Sequence, residues 1–329
     1  MDNSDFNCSN FLDNIRSDKG TEDLKNFFTE LCNKDVKTAL KFINDEKLNF
    51  STLFILRGEI KKFSLVDKLT IKNKTALLII KEILSDNKHN LEQEHLSFDY
   101  IQIIHSTLNW ILKSGYKSDG LNDEYDRVLD ITCGILTKLY KDKALLPIMA
   151  DLIFERYKKG TLIHDLVWAF FQAADPQSLL IIGEKLLSAA AEDVKMACRL
   201  LNFIPAVNNG ISKEKKYTNF LNWMKENSPF LKYTGESFQQ TTNPTPYKIV
   251  LEGKYLCKRI CCDTGKALRS PSEKENSLLN DFKKLDHDTK VLLSNFSLRI
   301  HHKNIYLWNI WHRYSLNEQI KIARIGGVQ

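Results

Sequence analysis

Apolar residues recur at helical spacing through much of the chain, and the pattern is most regular in residues 145–205. One stripe of this pattern consists of Ile163, Leu166, Phe170 and Ala174. Side chains that recur every three or four residues lie on one face of an α-helix. The pattern therefore predicts amphipathic helices, each with one buried face.

Helix-terminating residues divide this segment into four helices, which we expect to begin near residues 147, 162, 176 and 192. Gly160 suits the end of the first helix, and Asp175 suits an N-cap before Pro176. The first and third starts are 29 residues apart, and the second and fourth are 30 apart. This spacing predicts a repeat of helix pairs that bury their apolar faces by stacking on their neighbours.

Asp175-Pro176 begins one such unit, and Asp193-Val194 begins the second helix of the pair. The apolar residues that follow are Leu179, Leu180, Ile182, Leu186 and Leu187 in the first helix, and Ala197, Leu200 and Leu201 in the second. This pattern, within residues 145–205, resembles a HEAT-type repeat. The resemblance implies an α-solenoid-like stack that binds a partner, and an irregular helical domain is the alternative.

We expect an all-α fold with three regions. Residues 1–20 lack periodicity and are predicted to form a mobile tail, and residues 21–227 to form the stacked helix pairs. Residues 228–329 begin with a stretch that Gly235, Pro244 and Pro246 interrupt, and they are predicted to form a less regular, basic region. Within it, residues 247–271 suit a short strand pair or an irregular helix, and the last helices are expected at 277–297 and 302–324.

Composition favours a folded chain. Of 329 residues, 43% are hydrophobic and only 13 are Gly and 7 Pro, which argues against disorder. No segment approaches the ~20 uncharged apolar residues that span a bilayer, and the N-terminus is too acidic for a signal peptide. Seven cysteines, an odd number, suit reduced thiols. We therefore expect a cytoplasmic protein without a membrane partner.

The net charge of +6 is unevenly distributed. Residues 241–329 contain 15 basic residues (Lys and Arg) and eight acidic ones (Asp and Glu). Residues 1–240 contain the other 32 basic and 33 acidic residues. The last quarter of the chain therefore carries all the excess positive charge. Such a region suits nucleic acid or an acidic protein as its partner, and a charged surface that only water contacts is the alternative.

Basic and aromatic residues alternate near the C-terminus, where rings could stack on bases while cations contact phosphates. The candidate binding residues are Lys258, Arg259, Lys283, Lys284, Lys303, Trp308, Trp311 and Arg313. The alternative is that both tryptophans anchor the last helix, because aromatic residues at helical spacing usually belong to a core.

Cys257, Cys261 and Cys262 form the one cluster of potential metal ligands. On a helix, Cys257 and Cys261 would share a face and could bind zinc together. The common paired-cysteine motifs are absent, and His301 and His312 would lie about 16 Å apart on a continuous helix. We therefore expect reduced thiols, no metal and no cofactor.

No nucleotide-binding, zinc-protease or serine-hydrolase motif occurs in the sequence, so catalysis is not the expected role. His164 and Asp165 are adjacent and point about 100° apart on a helix, so they do not form a dyad. We expect an interaction scaffold that binds a protein partner through an α-helical repeat surface. The alternative is a nucleic-acid-binding protein, such as a HEAT-like DNA-repair-type enzyme, that uses the basic C-terminal region.

Overall fold

Helices account for most of the computed structural model, which describes residues 10–85, 98–205, 207 and 212–326. In these residues one small two-stranded sheet accompanies the helices. The fold is therefore all-α in its main architecture, as the sequence predicts. No helix in this part of the chain combines the length and the apolar character that crossing a bilayer requires.

The chain divides into two compact units, Met1–Leu152 and Ile153–Gln329. The boundary expected at residue 228 falls inside the second unit. The helices that begin in the first unit are α1 (Phe11–Lys19), α2 (Thr21–Lys34), α3 (Val36–Ile43), α4 (Phe50–Ile55), α5 (Arg57–Lys62), α6 (Ile71–Leu84), α7 (Phe98–Gly115), α8 (Asp123–Lys138) and α9 (Leu146–Lys159), the last of which contains the point of division.

The second unit continues with α10 (His164–Gln172), α11 (Ser178–Glu184), α12 (Ala191–Leu200), α13 (Lys213–Asn227), β1 (Leu231–Tyr233), β2 (Tyr247–Ile249), α14 (Leu251–Tyr255), α15 (Glu273–Lys284), α16 (His287–Lys303), α17 (Ile305–Trp311) and α18 (Leu316–Gly326).

Helix α1 lies where the sequence predicted a mobile tail. Its Leu12 is fully buried, and its Asp13 is also buried. The Asp13 carboxylate accepts a hydrogen bond of 2.5 Å from the Thr52 hydroxyl, which joins α1 to α4. A buried polar group with a partner of this kind can hold a short helix that has little apolar periodicity. The prediction of a tail is therefore wrong for residues 11–19, and residues 1–9 lie outside the described part.

Aromatic contacts join α4, α7 and α8 in the first unit. The Tyr125 ring stacks on Phe50 at 5.5 Å and meets Phe54 edge-on at 5.0 Å. The Tyr125 hydroxyl donates to the Gly115 carbonyl at 2.8 Å, and burial raises the pKa of this phenol. A Cβ at Gly115 would lie 2.7 Å from the hydroxyl oxygen, so only glycine allows this approach.

The four helices of residues 145–205 begin within two residues of the predicted positions. The predicted stripe of α10 is buried, with Leu166 and Phe170 fully enclosed. Gly160 has a φ of 70°, which suits the turn that follows α9. Helix α11 begins at Ser178, because Asp175 and Pro176 form the preceding turn and not its first residues. The solenoid-like stacking of the pairs stays a prediction.

Helices α11 and α13 pack at Gly183. A Cβ at this position would lie 2.1 Å from the Phe220 ring, closer than any non-bonded contact. We expect Gly183→Ala to lower the free energy of unfolding by about 1–3 kcal/mol, since the core must shift to admit a methyl group. Urea denaturation followed by circular dichroism measures this change.

Gly134→Ala in α8 is the matched control, because a Cβ at Gly134 meets no atom within 4 Å. In a helix interior this change should raise the free energy of unfolding by roughly 0.5–1 kcal/mol. Equal effects of the two substitutions would contradict the close contact between Gly183 and Phe220.

Residues 247–271 contain a strand and a short helix in succession. Strand β2 pairs antiparallel with β1, with Leu231 opposite Ile249 and Tyr233 opposite Tyr247. Helix α14 follows directly, and a single bridge joins Ile260 to Ala267. The segment therefore contains one strand and one short helix, and not the strand pair expected within it, because the partner strand β1 lies upstream.

Four helices occupy the C-terminal part, where two were predicted, at 277–297 and 302–324. Ser272 and Glu275 form a capping box that begins α15, and the Asp286 side chain caps α16. Asn304 then interrupts the predicted last helix, because its side chain accepts hydrogen bonds from two backbone N–H groups of α17. Ser315 and Glu318 similarly mark the start of α18.

A core cluster centred on Tyr255 joins these helices. The Tyr255 ring stacks on Phe282 at 4.4 Å, and its hydroxyl donates to Gln319 Oε1 at 2.8 Å. The other buried members of the cluster are Leu256, Leu279, Leu293, Phe296, Trp311 and Ala323. The basic region predicted from charge therefore has a core of its own.

Candidate interaction surface

Three of the predicted basic residues are Lys258, which follows α14, and Lys283 and Lys284, which end α15. Lys258 and Lys283 line one cavity of about 430 Å³. The Lys258 ammonium also forms an ion pair with Glu275 at 2.8 Å, and Lys284 pairs with Asp281 at 2.9 Å. Both ammonium groups therefore have a carboxylate partner within the protein.

The remaining basic candidates are solvent-exposed. Arg259 lies in the turn after α14, Lys303 ends α16, and Arg313 follows α17. Lys303 lines a second cavity, of about 490 Å³, which Lys258 and Lys283 do not line. The predicted binding residues are thus divided between two cavities and separate exposed positions.

The two tryptophans contact the protein interior. Trp311 is only 3% exposed, and its ring lies 5.4 Å from Phe296 and 6.0 Å from Tyr255. Trp308 is half-buried, and its Nε1–H donates to Ser297 Oγ at 2.7 Å. A ring in the position of Trp311 cannot stack on a nucleic-acid base without leaving the core. These contacts fit the alternative expectation, in which both tryptophans anchor the helix.

Ser297 links three elements. Its hydroxyl donates to the Tyr255 carbonyl at 2.5 Å. His312 Nε2 lies 3.4 Å from Ser297 Oγ. Burial lowers the pKa of His312 to about 4, so the imidazole is neutral near pH 7. The Ser297 proton is engaged by a carbonyl and the side chain is fully buried. This group holds α14, α16 and α17 together and lacks the geometry of an activated nucleophile.

The cysteines do not share a helical face. Helix α14 ends at Tyr255, and Cys257 has a left-handed φ of 51°, so residues 257–261 are not helical as the zinc hypothesis required. Burial raises the pKa of Cys257 and of Cys262 to about 11, whereas hydrogen bonds from Thr264 lower the pKa of Cys261. Among the described residues no group of three or more His, Cys, Asp or Glu side chains is placed to hold a metal ion.

His301 and His312 lie on two separate helical segments because Asn304 interrupts the chain between them. Both imidazoles contact the Trp308 ring, at centroid distances of 5.1 and 4.2 Å. The separation of about 16 Å expected on a continuous helix therefore does not apply, and both histidines belong to an aromatic cluster.

The first turn of α17 presents three consecutive apolar side chains to solvent. Ile305, Tyr306 and Leu307 are each more than half exposed. Successive residues on a helix point about 100° apart, so the three together cover most of the outward side. Asn304 fixes this turn, because its Oδ1 accepts from the Tyr306 and Leu307 N–H groups at 2.9 and 3.2 Å. We name Ile305, Tyr306 and Leu307 the α17 surface.

The composition of α17 contains a signal for the α17 surface that helical periodicity alone does not reveal. Six of the seven residues of α17 are apolar, in the sequence IYLWNIW. Two helical turns against one core cannot bury apolar side chains that point in every direction. Exposed apolar groups therefore follow from the composition of this helix, and exposed apolar patches commonly mark interaction sites.

Comparisons of the chain with protein-family models, curated proteins and solved structures found no match. The resemblance of residues 145–205 to a HEAT-type repeat stays a prediction.

Proposed function

We propose that the protein is an interaction scaffold that binds a protein partner, with the α17 surface as a principal contact. The observation that carries this proposal is the exposure of Ile305, Tyr306 and Leu307 on a helix whose opposite side is anchored in the core. Aromatic and aliphatic side chains in this arrangement supply the apolar centre that protein interfaces need. The HEAT-like helix pairs of residues 145–205 are proposed as a further part of the scaffold.

The charge around the α17 surface indicates the kind of partner. Residues 289–317 contain no Asp or Glu, and two exposed cations, Lys303 and Arg313, flank α17 along the chain. Positive charge beside an apolar contact attracts acidic residues and accelerates association with them. We therefore propose a partner segment with apolar side chains flanked by Asp or Glu.

Nucleic acid has less support as the partner of the predicted basic residues. The Lys258 and Lys284 ammonium groups are already paired with carboxylates, and Trp311 belongs to the core. A nucleic-acid interface needs cations that replace the counterions of the phosphates and rings that bases can reach. Neither requirement is met at these three residues.

Replacing the α17 surface tests the proposal. The partner is first identified with a photo-crosslinking amino acid at position 306 of the full chain, expressed in its native cells. The affinity of the purified partner is then measured by calorimetry. We expect the double variant Tyr306→Ser, Leu307→Ser to weaken binding at least tenfold, which is about 1.4 kcal/mol or more. Its circular dichroism melting curve should match that of the wild type, because both side chains are exposed.

Leu268→Ser is the matched control, since Leu268 is 63% exposed and belongs to neither cavity nor α17. It should leave the affinity unchanged. A partner that binds the double variant as tightly as the wild type would refute the α17 surface as the contact. The nucleic-acid alternative is supported if duplex DNA retains the wild type at low salt and the salt dependence of that affinity becomes weaker in a variant without four basic residues. These residues are Lys258, Arg259, Lys283 and Lys284.

A further inference from the structure

Lys254, in α14, carries an amine that is removed from solvent without a charged partner. Its side chain is 2% exposed, and Nζ donates to Asn227 Oδ1 at 2.6 Å and to Asn295 Oδ1 at 2.7 Å. Both acceptors are neutral amides, so they satisfy two N–H groups without forming an ion pair. A buried lysine is normally paired with an opposite charge.

The ammonium has a third N–H group for which the described residues provide no acceptor. Lys254 is also part of the lining of the cavity of about 490 Å³. Burial lowers the pKa of the amine, and the nearby Glu226 carboxylate opposes that effect. An anion in the cavity would supply the missing acceptor and form a direct ion pair with the ammonium.

Helix α16 contributes a stripe of polar side chains to the same cavity. Asn295, Arg299, His302 and Lys303 all line it, at the spacing that places residues on one helical face. Arg299 is held in place, because its guanidinium lies over the Phe296 ring at 5.2 Å and its Nη2 donates to the Gly326 carbonyl. A guanidinium fixed in this way presents its remaining N–H groups as a fork suited to phosphate.

The charges around the cavity favour a dianion. Lys254, Arg299 and Lys303 are cations, and Glu226 is the one carboxylate among the lining residues. The formal balance is therefore two positive charges, which equals the charge of a phosphomonoester near neutral pH. The volume of about 490 Å³ lies within the range of small-molecule sites and exceeds the needs of a bare phosphate ion.

We propose that this cavity binds a small phosphomonoester, with the phosphate held by Lys254 and Arg299 and the alcohol part in the remaining volume. Glu226 would accept hydrogen bonds from hydroxyl groups of that alcohol part, because a carboxylate is an acceptor only. A hydroxylated carrier, such as a sugar, is therefore favoured over an apolar one. This site is separate from the α17 surface, and either proposal can fail without the other.

Calorimetric titration of the full chain at constant ionic strength tests the site, with ribose 5-phosphate and inorganic phosphate as probes and ribose as the unphosphorylated control. We expect saturable binding of ribose 5-phosphate, weaker binding of inorganic phosphate and none of ribose. The decisive variant is Asn295→Asp, which keeps the side-chain shape and gives Lys254 a carboxylate partner. It should fold normally and bind ribose 5-phosphate roughly tenfold or more weakly.

Arg299→Gln is the second variant, with the same expected loss, and it keeps the test decisive if Asn295→Asp does not fold. Lys321→Gln is the control, because Lys321 is an exposed lysine of α18 outside the cavity lining. It should change the affinity by less than about twofold. The proposal is overturned if wild-type protein binds neither phosphate probe at roughly 10 mM, if ribose binds as tightly as ribose 5-phosphate, or if both cavity variants bind as the wild type does.

Discussion

Replacing Trp311 with alanine is expected to lower the free energy of unfolding by about 3–5 kcal/mol, because it removes a large buried ring from the Tyr255 cluster. The side chain is only 3% exposed and contacts the Phe296, Tyr255 and His312 rings. Equilibrium denaturation in urea, followed by circular dichroism, measures the loss. A base-stacking tryptophan on the surface would instead be removed with little change in stability.

Tyr306→Ala provides the matched control on the same helix, since Tyr306 is 70% exposed. Its effect should stay within about 0.5 kcal/mol of the wild type. The free energy of unfolding of Trp311→Phe should lie between those of Trp311→Ala and Tyr306→Ala. Phenylalanine keeps most of the ring contacts and removes an Nε1–H that has no acceptor among the described residues. If Trp311→Ala were as stable as Tyr306→Ala, Trp311 would not belong to the core.

Acid is expected to destabilise the second unit through His312. Burial lowers the pKa of this histidine from 6.5 to about 4, against opposing contributions from the Tyr255 backbone and Glu275. The unfolded chain therefore binds a proton near pH 6.5, and the folded chain does not until about pH 4. The stability that neutral His312 provides is complete above pH 6.5 and is lost as the pH falls toward 4, by about 3 kcal/mol in total.

Urea denaturation at a series of pH values between 7 and 4 tests this effect, through the difference in slope between wild type and His312→Gln. Glutamine keeps a hydrogen-bond donor and does not titrate, so the variant should lose less stability on acidification. His287→Gln replaces an exposed histidine at the start of α16 and should keep the wild-type slope. Equal slopes for wild type and His312→Gln would show that His312 is protonated equally in both states.

Periodicity was sufficient to predict the helices whose apolar side chains share one face. The stripe that contains Leu166 and Phe170 is buried as expected, since burial of that face decides where the helix lies. The C-terminal helices were predicted too long because their apolar residues continue through Asn304 and Ser315 with little change of period. The caps at these two residues were readable in the sequence, and they end one helix and begin the next.

The candidate sites were only partly predictable. The alternation of basic and aromatic residues was sufficient to identify Lys303, Trp308 and Arg313 as candidates. The direction of each side chain, however, depends on where Asn304 turns the chain. The environment of Lys254 could not be predicted, because its acceptors, Asn227 and Asn295, lie 27 and 41 residues away in the sequence. Burial of one lysine among many is a property of the tertiary fold and leaves no local pattern.

The anchoring of α17 also affects the entropy that a partner would lose on binding. Trp311, His312 and Trp308 fix the rotation of the helix from its inner side, and Asn304 fixes its first turn. The backbone beneath the α17 surface is therefore already ordered before any partner arrives. Association would immobilise only the exposed side chains, at about 0.5–1.5 kcal/mol each, whereas a flexible segment must also order its backbone as it binds.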